Sequence, residues 1–395
     1  MRIGVDATCW SNRRGYGRFA RALLSAVLEL DRSNQYVFFA DDDSPEFPFP
    51  ACVELVRVRT GVPTVKAAAA EGHRGVKDLW TISRVISGAN LDLVFFPSIY
   101  SYVPLTSSVP KLVTIHDVIP ELYPELVFPT LQSRLFWWAK VKLGCAQARL
   151  ILTVSEYSRR CLAEHLGIAP ERLRVVQEAS APAFQPINGA GPRAALGRLG
   201  VREGARLLAY VGGFSPHKNL GLVVDVLREL RADSGFADLQ LVLVGDYTGD
   251  VFFSNYLEIR NQVRELGLEQ HVVFSGYLGD EDMVQVLNAA EVLLLPSFCE
   301  GVGLPALEAA ACGTPVVVTR RSPLPELLGA GAIALEPEDR VGWREAVRRI
   351  LQDPQLAKSM RAAGLEAVSR LSWRASARQL LAIFEEVAGG RSATA

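Results

Sequence analysis

Two series of short apolar segments alternate with longer amphipathic segments along this chain, and the alternation limits the folds available to it. The first series contains five candidate strands, at residues 2–7, 36–40, 91–97, 111–117 and 150–155. The second contains six, at residues 206–213, 239–245, 271–276, 291–297, 314–319 and 332–337. Near-continuous Val, Ile and Leu runs are typical of parallel strands covered on both faces. Each series therefore predicts a doubly wound, Rossmann-like α/β sheet.

The stretch between the two series is rich in Ala, Gly and Pro and indicates a linker. We predict an N-terminal domain at 1–183, a linker at 184–205 and a C-terminal domain at 206–372. A chain of 395 residues is long enough for two cores. Because polar and Gly-rich segments from both series follow strand ends, we expect the two domains to face each other across a cleft that holds a ligand.

Composition excludes several classes of protein. A net charge of −1 gives no indication of a nucleic-acid partner, and the six cysteines form no CxxC pair, which is typical of reduced thiols. We find no secretory leader and no apolar run of membrane-spanning length, so we expect a cytoplasmic protein. The basic and aromatic segment 134–144 leaves two interpretations open. It is either a helix at the inner face of the membrane or a packed helix with a solvated basic face.

The segment "CEGVGLPALEAAACGTPVVV" at 299–318 predicts an anion site with two carboxylates beside it. Gly303 precedes a short helix whose first amides, including that of Leu304, would bind a phosphate with help from the helix dipole. Glu308 is predicted in the first turn of this helix, and Glu300 in the preceding loop. Carboxylates accept hydrogen bonds from vicinal hydroxyls, so the set fits a nucleotide sugar, with Glu308 placed by the helix dipole alone as the structural alternative.

Further candidate residues follow other strands. Lys218 would place an ammonium on a diphosphate, with a solvated lysine as the alternative. Gly15 and Gly17 would let backbone amides approach a phosphate or sugar, although they lie too far past the first strand for a dinucleotide fingerprint. His116 ends a strand, and Asp117 beside it is a candidate to orient the imidazole ring. The acidic stretch 41–50 is typical of a solvated loop, and we predict no metal site.

The chain resembles the retaining glycosyltransferases of family 4 over nearly its whole length. "EGVGLPALEAAACGTPVVV" is similar to the E-x7-E signature of that family, with Val302 and Ala310 in place of Phe and Met. "GYGRFARALL", "TVSEYSRRCLAEHLGI" and "YVGGFSPHKNL" resemble its glycine loop, its Ser-x-x-Ser helix start and its phosphate loop. "TIHDVIPELYPE" resembles the His-Asp-x-x-Pro segment of a subgroup rich in mannosyl- and rhamnosyltransferases. At Gly213 many family members carry an arginine.

This resemblance implies the GT-B fold, with an acceptor-binding first domain, a donor-binding second domain and a C-terminal helix at 373–395 that crosses back to the first. It implies retaining, metal-independent transfer of a hexose from a nucleoside-diphosphate sugar, GDP-mannose being favoured, to a glycan or lipid-linked glycan. His116 and Glu300 would act on the transferred sugar and Asp117 on the acceptor side. The donor would be bound by Gly15, Gly17, Gly213, Lys218, Gly303, Leu304 and Glu308. The alternative activity is that of a nucleotide-sugar epimerase or hydrolase on the same fold.

Overall fold

The computed structural model describes residues 1–41, 46–61, 75–187, 196–247 and 253–389. The chain divides into two compact units, Met1–Glu178 with Ser372–Ala395, and Ala179–Leu371. The described part of the predicted linker packs within the second unit. There the Asn288 side chain accepts a hydrogen bond from the Ile187 amide (2.7 Å) and donates one to the Gln185 carbonyl (3.1 Å). Residues 188–195 of the predicted linker and 390–395 of the predicted tail lie outside the described residues.

A seven-stranded parallel sheet forms the centre of the first unit. Its strands are β1 (Arg2–Asp6), β2 (Gln35–Ala40), β3 (Glu54–Arg57), β4 (Leu93–Phe96), β5 (Lys111–Thr114), β6 (Leu150–Thr153) and β7 (Leu173–Val175). They lie in the order β3-β2-β1-β4-β5-β6-β7, the doubly wound arrangement that reverses direction at β1 and β4. Val5 aligns with Phe38 on one side and Phe95 on the other, and all three are buried, as the apolar runs predict.

Helices cover this sheet. They are α1 (Gly15–Leu30), α2 (Val76–Gly88), α3 (Ile119–Leu122), α4 (Pro124–Val127), α5 (Leu131–Gln147) and α6 (Glu156–Leu166). The C-terminal helix, Trp373–Gly389, belongs to the same unit and packs against α1. Its Phe384 is buried beside Phe95 of β4, with ring centroids 5.8 Å apart. The predicted return of the C-terminal helix to the first domain is therefore confirmed.

The second unit repeats the arrangement with six parallel strands. They are β8 (Arg206–Val211), β9 (Leu239–Val244), β10 (Val272–Gly276), β11 (Ala290–Leu295), β12 (Val316–Thr319) and β13 (Ala332–Leu335). The order β10-β9-β8-β11-β12-β13 reverses between β8 and β11, which is the Rossmann order. Its helices are α7 (Leu220–Arg231), α8 (Tyr256–Glu265), α9 (Asp280–Ala289), α10 (Leu304–Ala311), α11 (Leu324–Leu328), α12 (Arg340–Gln352) and α13 (Pro354–Ser369), and the C-terminal helix is α14.

Two strands of the first sheet, β3 and β7, are absent from the sequence prediction. Both lie at the edges of the sheet and are only partly buried. An edge strand has a neighbour on one side only, so it can be short and polar, and "ELVR" and "LRV" carry no clear apolar run. Within the described ranges, no helix combines the length and the apolar character that a membrane-spanning segment requires.

Candidate functional site

The strongest candidate site lies at the carboxyl ends of β8 and β11 in the second unit. These two strands are neighbours, and the direction of the chain through the sheet reverses between them. Loops that leave a doubly wound sheet at such a point diverge to opposite faces and leave room for a ligand. Lys218 lies on the loop after β8, and Glu300 lies on the loop after β11.

Lys218 is held by a compact turn. Pro216–Lys218 form one turn of 3-10 helix, and the following Asn219 has the left-handed φ of 57°. The Asn219 side-chain amide donates hydrogen bonds to the Pro296 carbonyl (3.3 Å) and the Pro337 carbonyl (2.8 Å). Asn tolerates the left-handed conformation, so this residue both ends the turn and attaches it to the loop after β11.

Lys218 and Glu300 form an ion pair, with 2.6 Å between Nζ and Oε1. The Ser297 hydroxyl donates a second hydrogen bond to the same carboxylate oxygen, also at 2.6 Å. The side chains are only 19% and 10% exposed, so water screens the pair weakly. From the sequence, the two residues are predicted to bind different parts of a ligand, and in the structure they are also partners of each other.

Helix α10 begins beside this pair. Gly303 occupies the position before the helix with φ 84°, and Pro305 lies in the first turn. A Cβ atom on Gly303 would lie 2.7 Å from Cδ1 of Leu324 and 3.0 Å from Cδ2 of Leu295, so both its conformation and its surroundings require glycine. In the part of the chain that the structure describes, no side chain caps this helix start. Its first amides, including that of Leu304, can therefore serve an anion.

The structure corrects one prediction about Glu308. Helix α10 starts at Leu304, so Glu308 lies in the second turn rather than the first, and the helix dipole at the N-terminus does not account for it. Its side chain is buried, with the residue 2% exposed. Burial, followed by the negative charge of Glu308, raises the pKa of the nearby Cys312 thiol to about 12, so Cys312 stays protonated at neutral pH.

The glycines after β8 serve close packing. Gly212 has φ 155°, and its amide donates to the Val244 carbonyl (2.9 Å) at the end of the neighbouring strand. A Cβ on Gly245 would collide with the Gly212 carbonyl oxygen. The Gly213 carbonyl accepts a hydrogen bond from the Tyr210 hydroxyl at 2.7 Å. Of Gly212 and Gly213, Gly212 therefore has the more demanding backbone conformation, although only Gly213 was predicted to bind the donor.

Gly15 and Gly17 lie at the start of α1 and differ in their surroundings. Gly15 is the first helical residue and has open space where a side chain would be. A Cβ on Gly17 would collide with the Asn12 backbone, and the Gly17 amide donates to the Arg14 carbonyl at 3.1 Å. The amide of Gly17 is therefore already used within the helix start, and the small size of this residue serves packing.

His116 lies two residues beyond the end of β5, and Phe19 contacts its ring edge-on at 4.9 Å between centroids. The residue is half-buried, but both ring nitrogens are shielded from solvent and have no hydrogen-bond partner among the described residues. This burial lowers the pKa of His116 to about 4. The imidazole is therefore neutral at physiological pH.

Asp117 does not orient the His116 ring, contrary to the expectation from sequence. Its Oδ1 instead accepts a hydrogen bond from the Ile119 amide at 2.9 Å, as Asp commonly does before a turn. Glu121, which was not predicted from the sequence, lies nearby. Its carboxylate accepts a hydrogen bond from the Trp137 indole at 2.8 Å. Burial, with the negative charge of Asp117 adding to it, raises the pKa of Glu121 to about 7. No sequence signal marks Glu121, because its burial depends on α5.

Within the described ranges, no group of three or more His, Cys, Asp or Glu residues could hold a metal ion. Residues 42–45 of the acidic stretch lie outside those ranges.

Two family models match the chain. The model described as "Glycosyltransferase Family 4" matches residues 14–179, and the model described as "Glycosyl transferases group 1" matches residues 195–367. Among curated proteins, a D-inositol 3-phosphate glycosyltransferase of Corynebacterium efficiens is 29% identical over 57% of this chain and 53% of its own length. An MMP alpha-(1->4)-mannosyltransferase of Mycolicibacterium hassiacum is 30% identical over 63% of this chain and 58% of its own length. The matches thus span little more than half the length of these relatives.

Solved structures share the fold over nearly the whole chain. A sucrose-phosphate synthase from Thermosynechococcus elongatus has a TM-score of 0.77 at 20% identity and covers 99% of this chain and 100% of its own. WaaG, a glycosyltransferase involved in lipopolysaccharide biosynthesis, has a TM-score of 0.73 at 15% identity, with 97% and 99% coverage. Anabaena HepE in complex with UDP and glucose has a TM-score of 0.73 at 17% identity, with 98% and 100% coverage. At these identities the likeness concerns the fold, which is the GT-B fold predicted from the sequence.

Proposed function

Since the chain belongs to glycosyltransferase family 4, we propose that it transfers a hexose from a nucleoside-diphosphate sugar to a hydroxyl group of a glycan or lipid-linked glycan. The anomeric configuration of the sugar is retained. The observation that carries this proposal is the Lys218–Glu300 pair, which lies where the sheet of the second unit reverses and next to the start of α10. A cation, a carboxylate and free helix amides together suit a ligand that carries both a diphosphate and hydroxyl groups.

The diphosphate binds at Lys218 and at the amides of Gly303 and Leu304. The Lys218 ammonium is a compact charge on a flexible stem, so it can leave Glu300 for a phosphate oxygen by a small rotation. Once that happens, the Glu300 carboxylate needs new donors, and sugar hydroxyls provide them. The pair thus couples arrival of the diphosphate to recognition of the sugar.

Glu308 binds the ribose. Its side chain is buried on α10, beyond the first turn that serves the phosphates, and a carboxylate can accept hydrogen bonds from two vicinal hydroxyls at once. This role gives a reason for a charged residue in an otherwise apolar helix.

Transfer then follows from stabilisation of charge. The acceptor oxygen forms a bond to the anomeric carbon while the bond from that carbon to the diphosphate breaks, and the acceptor proton moves to a diphosphate oxygen. Neutral His116 offers a hydrogen bond to the sugar and does not act as an acid at neutral pH, since its pKa is about 4. Lys218 and the α10 amides stabilise the departing diphosphate.

GDP-mannose is the donor that we favour. The His-Asp-x-x-Pro segment that contains His116 and Asp117 supports it, and so does the name of the mannosyltransferase relative from M. hassiacum. UDP-glucose is the principal competitor, because HepE shares the fold and its solved complexes contain UDP-glucose or UDP.

The first experiment is thermal unfolding with GDP, UDP, dTDP and ADP, each with and without EDTA. A nucleotide at about 100 times its dissociation constant stabilises the folded protein by ~2.7 kcal/mol. We expect one nucleotide to raise the midpoint regardless of EDTA. Lys218→Ala should abolish this shift, whereas Lys358→Ala, which removes an exposed lysine of the same unit, should preserve it. If no nucleotide raises the midpoint, or if Lys218→Ala responds like the wild type, the proposed donor site is wrong.

The second experiment identifies the reaction. The nucleotide sugar that matches the stabilising base is incubated with candidate glycan acceptors, and the product is examined by NMR. A new glycosidic bond with the donor's anomeric configuration supports the proposal. An altered sugar still attached to its nucleotide, formed without any acceptor, would contradict it.

A further inference from the structure

Helix α5 exposes large apolar side chains over its outward surface. Leu131 is 71% exposed, Leu135 58% and Trp138 60%, and their spacing of four and three residues places them in one row along the helix. Phe136 and Leu143 form a second exposed row about a third of a turn further round the helix, and the exposed Ala139 and Ala146 lie between the two rows. We call the five large side chains of the two rows the outer face of α5.

The opposite side of α5 is firmly attached to the first unit. Val141 and Gly144 are buried, and a Cβ on Gly144 would lie only 2.7 Å from Cδ1 of Ile99. The Trp137 indole donates to Glu121 (2.8 Å), and the Lys140 ammonium donates to the Tyr100 carbonyl (2.6 Å). The helix therefore already buries one complete side, and its outer face is a second apolar surface. A contiguous exposed apolar surface of this kind marks an interaction site.

The chain segment that carries the outer face has charge of one sign only. Residues 126–155 contain no Asp or Glu, although the chain as a whole carries a net charge of −1. Arg134, Lys142 and Arg149 are exposed in this stretch, and none of the three forms an ion pair with another described residue. An apolar surface edged by unpaired cations is complementary to a partner that is apolar inside and anionic at its surface.

We propose that the outer face of α5 binds the surface of a bilayer that contains anionic phospholipids. The helix would lie in the plane of the interface, with leucine and phenylalanine side chains among the acyl chains, Trp138 at the level of the headgroups and the cations on lipid phosphates. This differs from the solvated basic face that the sequence also allowed, because the solvent-facing side of α5 is mainly apolar. The inference does not depend on the donor or on the reaction.

Vesicle flotation of the full chain tests it. One set of vesicles contains phosphatidylcholine alone, and the other also contains phosphatidylglycerol. We expect the wild type to float with the anionic vesicles and Leu135→Glu/Trp138→Glu to lose about tenfold or more of this binding. Leu257→Glu is the matched control, because Leu257 is 67% exposed on α8 of the other unit, and it should bind like the wild type.

A second variant, Arg134→Gln/Lys142→Gln, retains the outer face and removes two cations. Each Lys or Arg near an anionic surface contributes ~1 kcal/mol, so we expect binding to the anionic vesicles to fall about fivefold per charge. Binding to the phosphatidylcholine vesicles should not change. Circular dichroism and thermal midpoints equal to those of the wild type show that each variant is folded.

Three results would overturn the inference. The first is that the wild type binds neither set of vesicles, and the second is that Leu257→Glu loses as much binding as the outer-face variant. The third is a dimer, detected by light scattering, that Leu135→Glu/Trp138→Glu converts to a monomer, with no vesicle binding by the wild type. The outer face would then contact a second copy of the chain.

Discussion

Substitution of Gly303 by Ala should destabilise the protein more than the same substitution at Gly313, although both glycines adopt left-handed conformations at the ends of α10. Gly303 has φ 84° and Gly313 has φ 76°, and a residue with a Cβ loses about 1–2 kcal/mol in that region. At Gly313 the nearest atoms to a new Cβ are 3.8 and 3.9 Å away, so this backbone effect is the whole effect.

At Gly303 a steric effect is added. The new Cβ would lie 2.7 Å from Leu324 and 3.0 Å from Leu295, and both leucines are fully buried, so neither can move aside freely. Overpacking of a core by a methyl group typically destabilises by about 1–3 kcal/mol. We therefore expect Gly303→Ala to reduce the free energy of unfolding by about 2–5 kcal/mol, against about 1–2 kcal/mol for Gly313→Ala.

Urea denaturation followed by circular dichroism measures both values. The Leu324→Ala variant supplies a further check, because in its background Gly303→Ala keeps only the backbone effect and the contact with Leu295 and should therefore lose less stability. The double-mutant cycle isolates the part of the steric effect that is due to Leu324. Equal losses for the two glycine variants, or no coupling between Gly303 and Leu324, would refute the packing described around the start of α10.

Three other predictions concern charge and packing. Glu300→Gln removes the carboxylate charge 2.6 Å from the Lys218 ammonium, so we expect nucleoside diphosphates to bind at least as tightly while turnover falls about 100-fold; calorimetry and initial rates measure the two effects. His116 has a folded-state pKa of about 4 and an unfolded value of 6.5, so the stability present above pH 6.5 is lost as the pH falls toward 4. For a fully buried ring, the free energy of unfolding would fall by about 2 kcal/mol between pH 7 and pH 5. The His116 ring is partly exposed, so we expect a fall of about 1–2 kcal/mol. Unfolding curves of His116→Gln at the two pH values should lack this difference. Phe384→Ala removes a fully buried ring of α14 and should lower the free energy of unfolding by about 3–5 kcal/mol in urea titrations.

Matched variants separate these effects from general damage. Glu366→Gln alters an exposed glutamate of the second unit and should change neither nucleotide binding nor turnover. His165→Gln alters an exposed histidine on α6 and should keep the wild-type pH dependence. Glu386→Gln alters a residue of α14 and removes its ion pair with Arg174 at the surface. It should change the free energy of unfolding by less than about 1 kcal/mol. A parallel loss of affinity and turnover in Glu300→Gln would contradict the role of Glu300, and an unchanged pH dependence in His116→Gln would contradict the burial of His116.

The fold was largely predictable because its information is local. Each buried strand is a run of apolar residues, and a central parallel strand needs such a run whatever its neighbours are. The edge strands β3 and β7 were missed for the converse reason, since a strand covered on one side has no need of a continuous apolar run. The glycine before α10 was likewise readable, since a turn of that kind depends on one or two residues.

Side-chain contacts between distant residues were not predictable in this way. Lys218 and Glu300 were both identified, but their ion pair joins two loops that approach each other only through the pairing of β8 with β11. The sequence allows the Asp117 carboxylate two local partners, the His116 ring and the Ile119 amide. In the structure it accepts a hydrogen bond from the Ile119 amide, because the chain turns there into α3.

The sequence by itself determined two Rossmann-like sheets, the glycine turn before α10 and the identity of the polar residues after the strands, because each follows from the order of residues within a short segment. Only the tertiary structure decided which of these residues meet, that the His116 ring nitrogens are shielded and that the solvent-facing side of α5 is apolar. The physical reason is that burial and charge pairing depend on what other segments cover. A helix such as α5, apolar on two sides, does not reveal from its own residues which side the rest of the molecule will occupy.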